Sequence, residues 1–167
     1  MASPFFGDWE EAIKRLNGMA ALMDQNLSIA TETNAVHMRE ATKQTIMDQP
    51  SEWAPLQPAT IARKGSSKML IDKGDLKDSI NYQMVTQHEA FVGVPRNAVQ
   101  RDSDEPLVNI AAVHEFGSPK QHIPKRSFIY RTFHEIYEKL VKRYRDAAAA
   151  TMRGKVYRPN LVIGGGK

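Results

Sequence analysis

The sequence contains no cysteine, and that absence removes disulfides, thiolate metal ligands and cysteine nucleophiles together. The expectation is a chain that folds in a reducing cytoplasm without covalent staples. Long apolar runs are missing as well. Ile110-Ala111-Ala112-Val113 and Leu161-Val162-Ile163 fall far short of the roughly 20 apolar residues a bilayer span requires. The start, MASPFFGDWEE, has neither the basic stretch nor the long apolar stretch of a secretory signal. No membrane partner is therefore expected. There is no internal repeat, and low complexity is confined to the alanines at 147–150 and the glycines at 164–166.

What is present suits one domain with arms. The 167 residues are 41% apolar, enough for a core, and length alone favours a single unit. Charge is uneven. Residues 1–50 hold four basic and seven acidic side chains, a balance of −3, so the overall +4 leaves +7 on the remainder. Such asymmetry points toward nucleic acid or an acidic protein partner. The division read from these patterns is a helical region over 1–50, an α+β core over 51–152 and an extended arm over 153–167.

Asp8, with Glu10 and Glu11 behind it, predicts a helix start. Trp9, Ile13 and Leu16 follow at helical spacing, and Asn17-Gly18 reads as that helix's end. A second, longer helix is expected over 19–48. Its stripe of Leu22, Leu27, Ile29, Val36, Ile46 and Met47 is loose, and Thr31, Thr33 and Asn34 are mediocre helix formers. Pro50 stops it. Residues 51–68 read as a loop pegged by Trp53 and Leu56. Asp72-Lys73-Gly74 is a turn, after which Asp75 and Asp78 can cap one helical turn. Ile80, Tyr82 and Met84 alternate with Asn81 and Gln83, and Ala90, Val92 and Val94 with Phe91 and Gly93, predicting an antiparallel hairpin over about 79–94. Leu107, Ile110, Ala111 and His114 favour a short helix closed by Gly117, with a strand at 110–113 as the alternative. After an extended connector at 118–125, Ser127 can cap a long helix striped by Ile129, Phe133, Ile136, Tyr137, Leu140 and Tyr144. The sum is an α+β fold, with long N-terminal and C-terminal helices packed on a small antiparallel sheet. A two-stranded hairpin is marginal alone. Further strands are expected from 110–113, from the tail, or from a neighbouring subunit.

A search for chemistry returns little. His114-Glu115 suggests a zinc protease, but the second histidine would have to stand at position 118, which is Ser118. Asp72, Asp75 and Asp78 lack the alternate-residue pattern and distant glutamate of a calcium loop. Gly164-Gly165-Gly166-Lys167 follows no strand and opens no helix, so it is not a phosphate loop. No cofactor is expected, and an enzyme is not. Lys139, Lys142, Arg143 and Arg145 could follow a nucleic-acid backbone, although basic residues opposite an apolar stripe are also what any amphipathic helix carries.

Several segments in order do carry a resemblance. They are Trp53-Ala54-Pro55-Leu56; Thr60 and Lys64; Leu70-Ile71-Asp72-Lys73-Gly74-Asp75-Leu76 with Ser79-Ile80; Val92-Gly93; Ala111-Ala112-Val113-His114-Glu115-Phe116-Gly117; and Ile123-Pro124-Lys125-Arg126-Ser127-Phe128-Ile129. Across about residues 50–135 the chain resembles the phage virion-morphogenesis or tail-completion family, of the Mu-like G protein and P2-like S protein type. One departure is Ser127, where the family commonly has proline. The resemblance implies a non-enzymatic virion protein of the neck that joins tail to head as a homo-oligomeric ring, six copies by tail symmetry. Its partners would be itself, a head-closure or connector protein on one side, and a tail terminator or tube on the other. Tail terminator and head-closure rings are the alternatives within that class, and a small basic DNA-binding module is the alternative outside it. In physical terms Gly74, Gly93 and Gly117 mark turns or close approaches, and Trp53, Leu56, Leu70, Leu76 and Phe128 mark anchors. Arg126 is expected to bridge to a carboxylate such as Glu115, within the subunit or across to the next. Leu161, Val162 and Ile163 are expected to contact neighbours by strand addition.

Overall fold

A single helix, α1 (Trp9–Asp48), runs unbroken through the point where Asn17-Gly18 reads as a stop. The computed structural model describes residues 9–160. The expected cap Asp8 and the tail residues Leu161, Val162 and Ile163 lie outside them. The two helices expected over 1–48 are thus one: Gly18 stays helical, and a Cβ added there would meet nothing within 4 Å among the described residues. The residues that end α1 are Gln49, at a φ of 51°, and Pro50.

The segment 51–68, expected to be a loop, contains α2 (Pro58–Lys64). Proline suits its first turn, and Gly65 closes it in the left-handed region. A turn leads to α3 (Asp75–Ser79), then to β1 (Asn81–Met84) and β2 (Ala90–Gly93). The strands pair antiparallel, Asn81 opposite Gly93 and Tyr82 opposite Val92. Tyr82 lies toward α1, with Arg39 5.2 Å above its ring, and His88 meets Asp24 at 2.7 Å, so the hairpin lies against residues 24–39 of that helix. Residues 107–116 form α4 (Leu107–Phe116), not a strand. Among the described residues the sheet has two strands only. A 3₁₀ turn at Pro119–Gln121 interrupts the expected connector, and α5 (Ile129–Met152) returns along α1. No helix among the described residues is long and apolar enough to cross a membrane.

The apolar core gathers at one end of the α1–α5 pair. Ile46, Trp53, Leu70, Leu76, Ile80, Val94, Leu107, Ala111 and Phe128 pack together, and Phe128 and Ile46 are wholly buried. A wholly buried aromatic or aliphatic side chain contributes about 1.5–3 kcal/mol. The rest of the α1–α5 interface is built differently. Ala30, Ala147 and Ala150 let the helices approach, and Asn26, Thr31, Asn34, Thr45, Thr132 and Thr151 lie between them. The threonines that make α1 look weak return their hydroxyls to the carbonyl four residues earlier, as Thr31 does to Leu27 and Thr45 to Ala41. Thr45 then meets Thr132 at 2.6 Å, and Thr31 meets the Tyr144 hydroxyl at 3.0 Å. The helices run antiparallel, from Thr45 beside Thr132 to Asn26 beside Thr151.

Candidate functional site

The residues of the ordered motifs converge where α4, the connector and the start of α5 meet. Glu115 is the hub. Its carboxylate, 7% exposed, accepts the amides of Phe128, Ile129 and Tyr130 at 2.8–3.0 Å and the Ser127 hydroxyl at 2.5 Å. The first amides of a helix have no partner within it, and here α4 supplies that partner to α5. Ser127, expected to be the cap, instead donates to the residue that does the capping. Burial would raise the Glu115 carboxyl, but the Ser127 hydroxyl and the three amides outweigh it and hold its pKa below the ordinary glutamate value.

Within the chain, Arg126 does not bridge to Glu115. It is 4% exposed, and its guanidinium donates from Nε to the Ala54 carbonyl at 3.0 Å and from a terminal nitrogen to Pro55 at 3.3 Å. The arginine therefore ties the Trp53–Leu56 segment to the connector, while its own amide donates to the His114 carbonyl at 2.7 Å. Burial lowers its pKa. His114 lies alongside with a buried Nδ1 that has no protein partner. Burial, then Arg126 and Lys64, push its pKa down to about 4, so the ring is neutral at pH 7.

A cleft of about 540 Å³ with a mixed polar and apolar lining opens over this cluster, bordered by Leu56, Lys64, Leu70, Asp72, Leu76, His114, Pro124 and Arg126. Asp72 and Pro124 are exposed on its rim. Leu70 sits at a φ of 59°, strained for a bulky residue. Its neighbour Met69 is held by the Gln49 amide, which donates to the Met69 carbonyl at 2.9 Å and accepts its N–H at 2.5 Å. Asp75 and Asp78, expected to cap α3, do not: Gly74 occupies the cap with no side-chain bond. Asp75 instead accepts the Arg101 amide at 3.1 Å, with Arg101 Nε 2.7 Å from its other oxygen but poorly aligned. Gly117, at a φ of 81°, lies so close to the connector that a Cβ would sit 3.1 Å from the Lys125 nitrogen. Trp53, Ile80 and Phe128 belong to the core and not to the cleft. Gly93 sits on the far side, where the Phe91 ring covers it and would meet an added Cβ at 3.0 Å. Among the described residues no three acidic or histidine side chains converge as metal ligands would.

A second feature is larger. An open apolar groove of about 1140 Å³ runs between α5 on one side and β2 with α4 on the other, floored by Ala35 and Met38 of α1. Its walls carry Phe91, Phe116, Tyr130, Phe133, Tyr137 and Tyr144, all exposed. The stripe of α5 expected to face the core is thus split: Ile136 is buried, while Phe133 and Tyr137 border the groove. Nor do the basic residues of α5 all occupy its solvent face. Arg143 turns inward to Asn34 and His37 at 3.1 and 2.8 Å.

Asn26 has no counterpart in the sequence reading. Wholly buried, it donates to Thr151 and the Lys155 carbonyl and accepts the Tyr157 amide, fastening the chain after α5 back onto α1.

The fold and this cluster define a helical α+β protein whose motif residues hold loops and cap a helix. A family model described as the phage virion morphogenesis family matches residues 8–150. The chain belongs to that family, a bacteriophage protein of virion morphogenesis. Comparison with curated proteins and with solved structures returned no match.

Proposed function

We propose that this chain is a structural subunit of a tailed-phage neck, a tail-completion protein that closes into a ring of six and joins the tail to the DNA-filled head. The observation that carries this reading is the open apolar groove on a chain of a virion-morphogenesis family. An open apolar groove walled by exposed aromatic side chains suits docking of an apolar helix or strand of a partner. The role is structural and not catalytic: Glu115 and Arg126, the most buried charged groups, are occupied by a helix start and two loop carbonyls. A head-closure or connector protein would contact one face of the ring and a tail terminator or tube the other, within the virion.

Electron microscopy tests it. A phage lacking this protein should yield filled, tailless heads beside headless tails, and the purified chain should form rings. Normal virions from the deletion would overturn the reading.

A further inference from the structure

Among the described residues, the first turns of α1 reach past the end of its partner helix α5. Asn26 lies beside Thr151 at the end of α5, so the antiparallel pair stops there. Residues 9–25 continue past it, and every residue from 9 to 21 is exposed. Seventeen helical residues span about 25 Å. This overhang is not an ordinary polar surface. Trp9, Ile13, Leu16, Ala20 and Met23 recur at spacings of four, three, four and three, which places them on one narrow seam. Trp9 is 71% exposed, Ile13 55% and Leu16 65%. The chain therefore displays two apolar surfaces, a convex helical seam at one end and a concave groove on its body.

We infer that the overhanging part of α1 lies in the groove of a second copy of this chain, seam downward against α5, β2 and α4. The inference rests on the ring reading given above. Its first support is fit. Half of a helix about 10 Å across and 25 Å long displaces roughly 1000 Å³, and the groove offers about 1140 Å³. Its second is area. Half the accessible surface of such a helix is roughly 500 Å², so helix and groove together bury about 1000 Å², the lower bound for a specific contact. A ring subunit makes two such contacts, one with its arm and one with its groove. Convex and concave patches at different places on one molecule also make the contact heterologous, and heterologous contacts are the ones that close rings. Pairing of arm with arm would leave both grooves open.

The absence of cysteine gives a clean test. A tagged Leu16→Cys chain and an untagged Tyr137→Cys chain, both full length, are mixed, equilibrated and oxidised. The expected product is a mixed disulfide dimer, about tenfold or more in excess over either homodimer. Because residues 13 and 16 are exposed in the single chain, Ile13→Asp with Leu16→Asp should leave unchanged the circular dichroism and the thermal midpoint measured at concentrations where the chain is monomeric. The same pair should weaken self-association by about tenfold or more. Light scattering on the unmodified chain separates the two ways of failing. Rings without the mixed dimer, or with Leu16–Leu16 linkage dominant, overturn the arm-in-groove contact alone. A chain that stays monomeric overturns the ring reading and this contact with it.

Discussion

Glu115 shows how much one side chain can organise. Four donors from the 127–130 stretch end on its carboxylate, and no other side chain caps α5. Glu115→Ala leaves those donors without their acceptor in a buried place. The expected cost is about 2–3 kcal/mol, read as a lowered urea midpoint with an unchanged slope. Glu115→Gln keeps one acceptor oxygen and should lose about half as much. His114 makes the neighbouring prediction in pH. The unfolded chain takes up this proton near pH 6.5, the folded chain only near 4, so protonation favours unfolding throughout that interval. Stability should be full above pH 6.5 and fall by about 1–2 kcal/mol on going to pH 5. In His114→Asn that part of the loss should vanish, as denaturation series at pH 7.5 and 5 would show by comparison with the parent chain, leaving the share of His37, whose pKa burial and Arg143 also lower. Glu115, whose pKa is depressed, adds its own loss only below the ordinary glutamate range, so the two windows are separable. His114 and Glu115 stand out in the sequence as a fragment of a metal motif. What they do was not legible there, because the cap joins residues twelve to fifteen apart and depends on how the connector folds.

At the scale of elements the reading goes wrong where local chemistry and long-range pattern disagree. Asn17-Gly18 has the composition of a helix end, yet the apolar seam runs through it without a change of phase, from Ile13 and Leu16 to Ala20 and Met23. The periodicity was the better guide. If Gly18 is an ordinary exposed helix residue, Gly18→Ala should stabilise the arm by about 0.5–1 kcal/mol, seen as added helical ellipticity and slower amide exchange over 9–25. A hinge at that point would give no gain. The hairpin and α5 were readable because alternation and a wide apolar stripe are strong signals. The polar interface of α1 was not. Threonines that bond their own helix and meet across a close contact look, in one dimension, like a poor helix.

For the molecule as a whole, the basic face of α5 suggests nucleic acid only until its partners are counted. On α5, Arg131 pairs with Glu52 and Glu135, Lys142 with Asp146, and Arg143 reaches Asn34 and His37. Of the basics on the solvent side of that helix, Lys139 and Arg145 have no carboxylate partner among the described residues. Two phosphate contacts would make duplex affinity fall only about tenfold between 50 and 200 mM salt, whereas six to ten would make it fall about 10³–10⁵-fold. Fluorescence anisotropy of a labelled duplex, at protein concentrations where the chain is monomeric, should therefore show weak binding with a shallow salt dependence. A steep dependence would favour the DNA-binding module over the ring subunit. The charge would then be serving a ligand. In the arm-in-groove arrangement the groove, not the basic helix face, is the surface that must be covered.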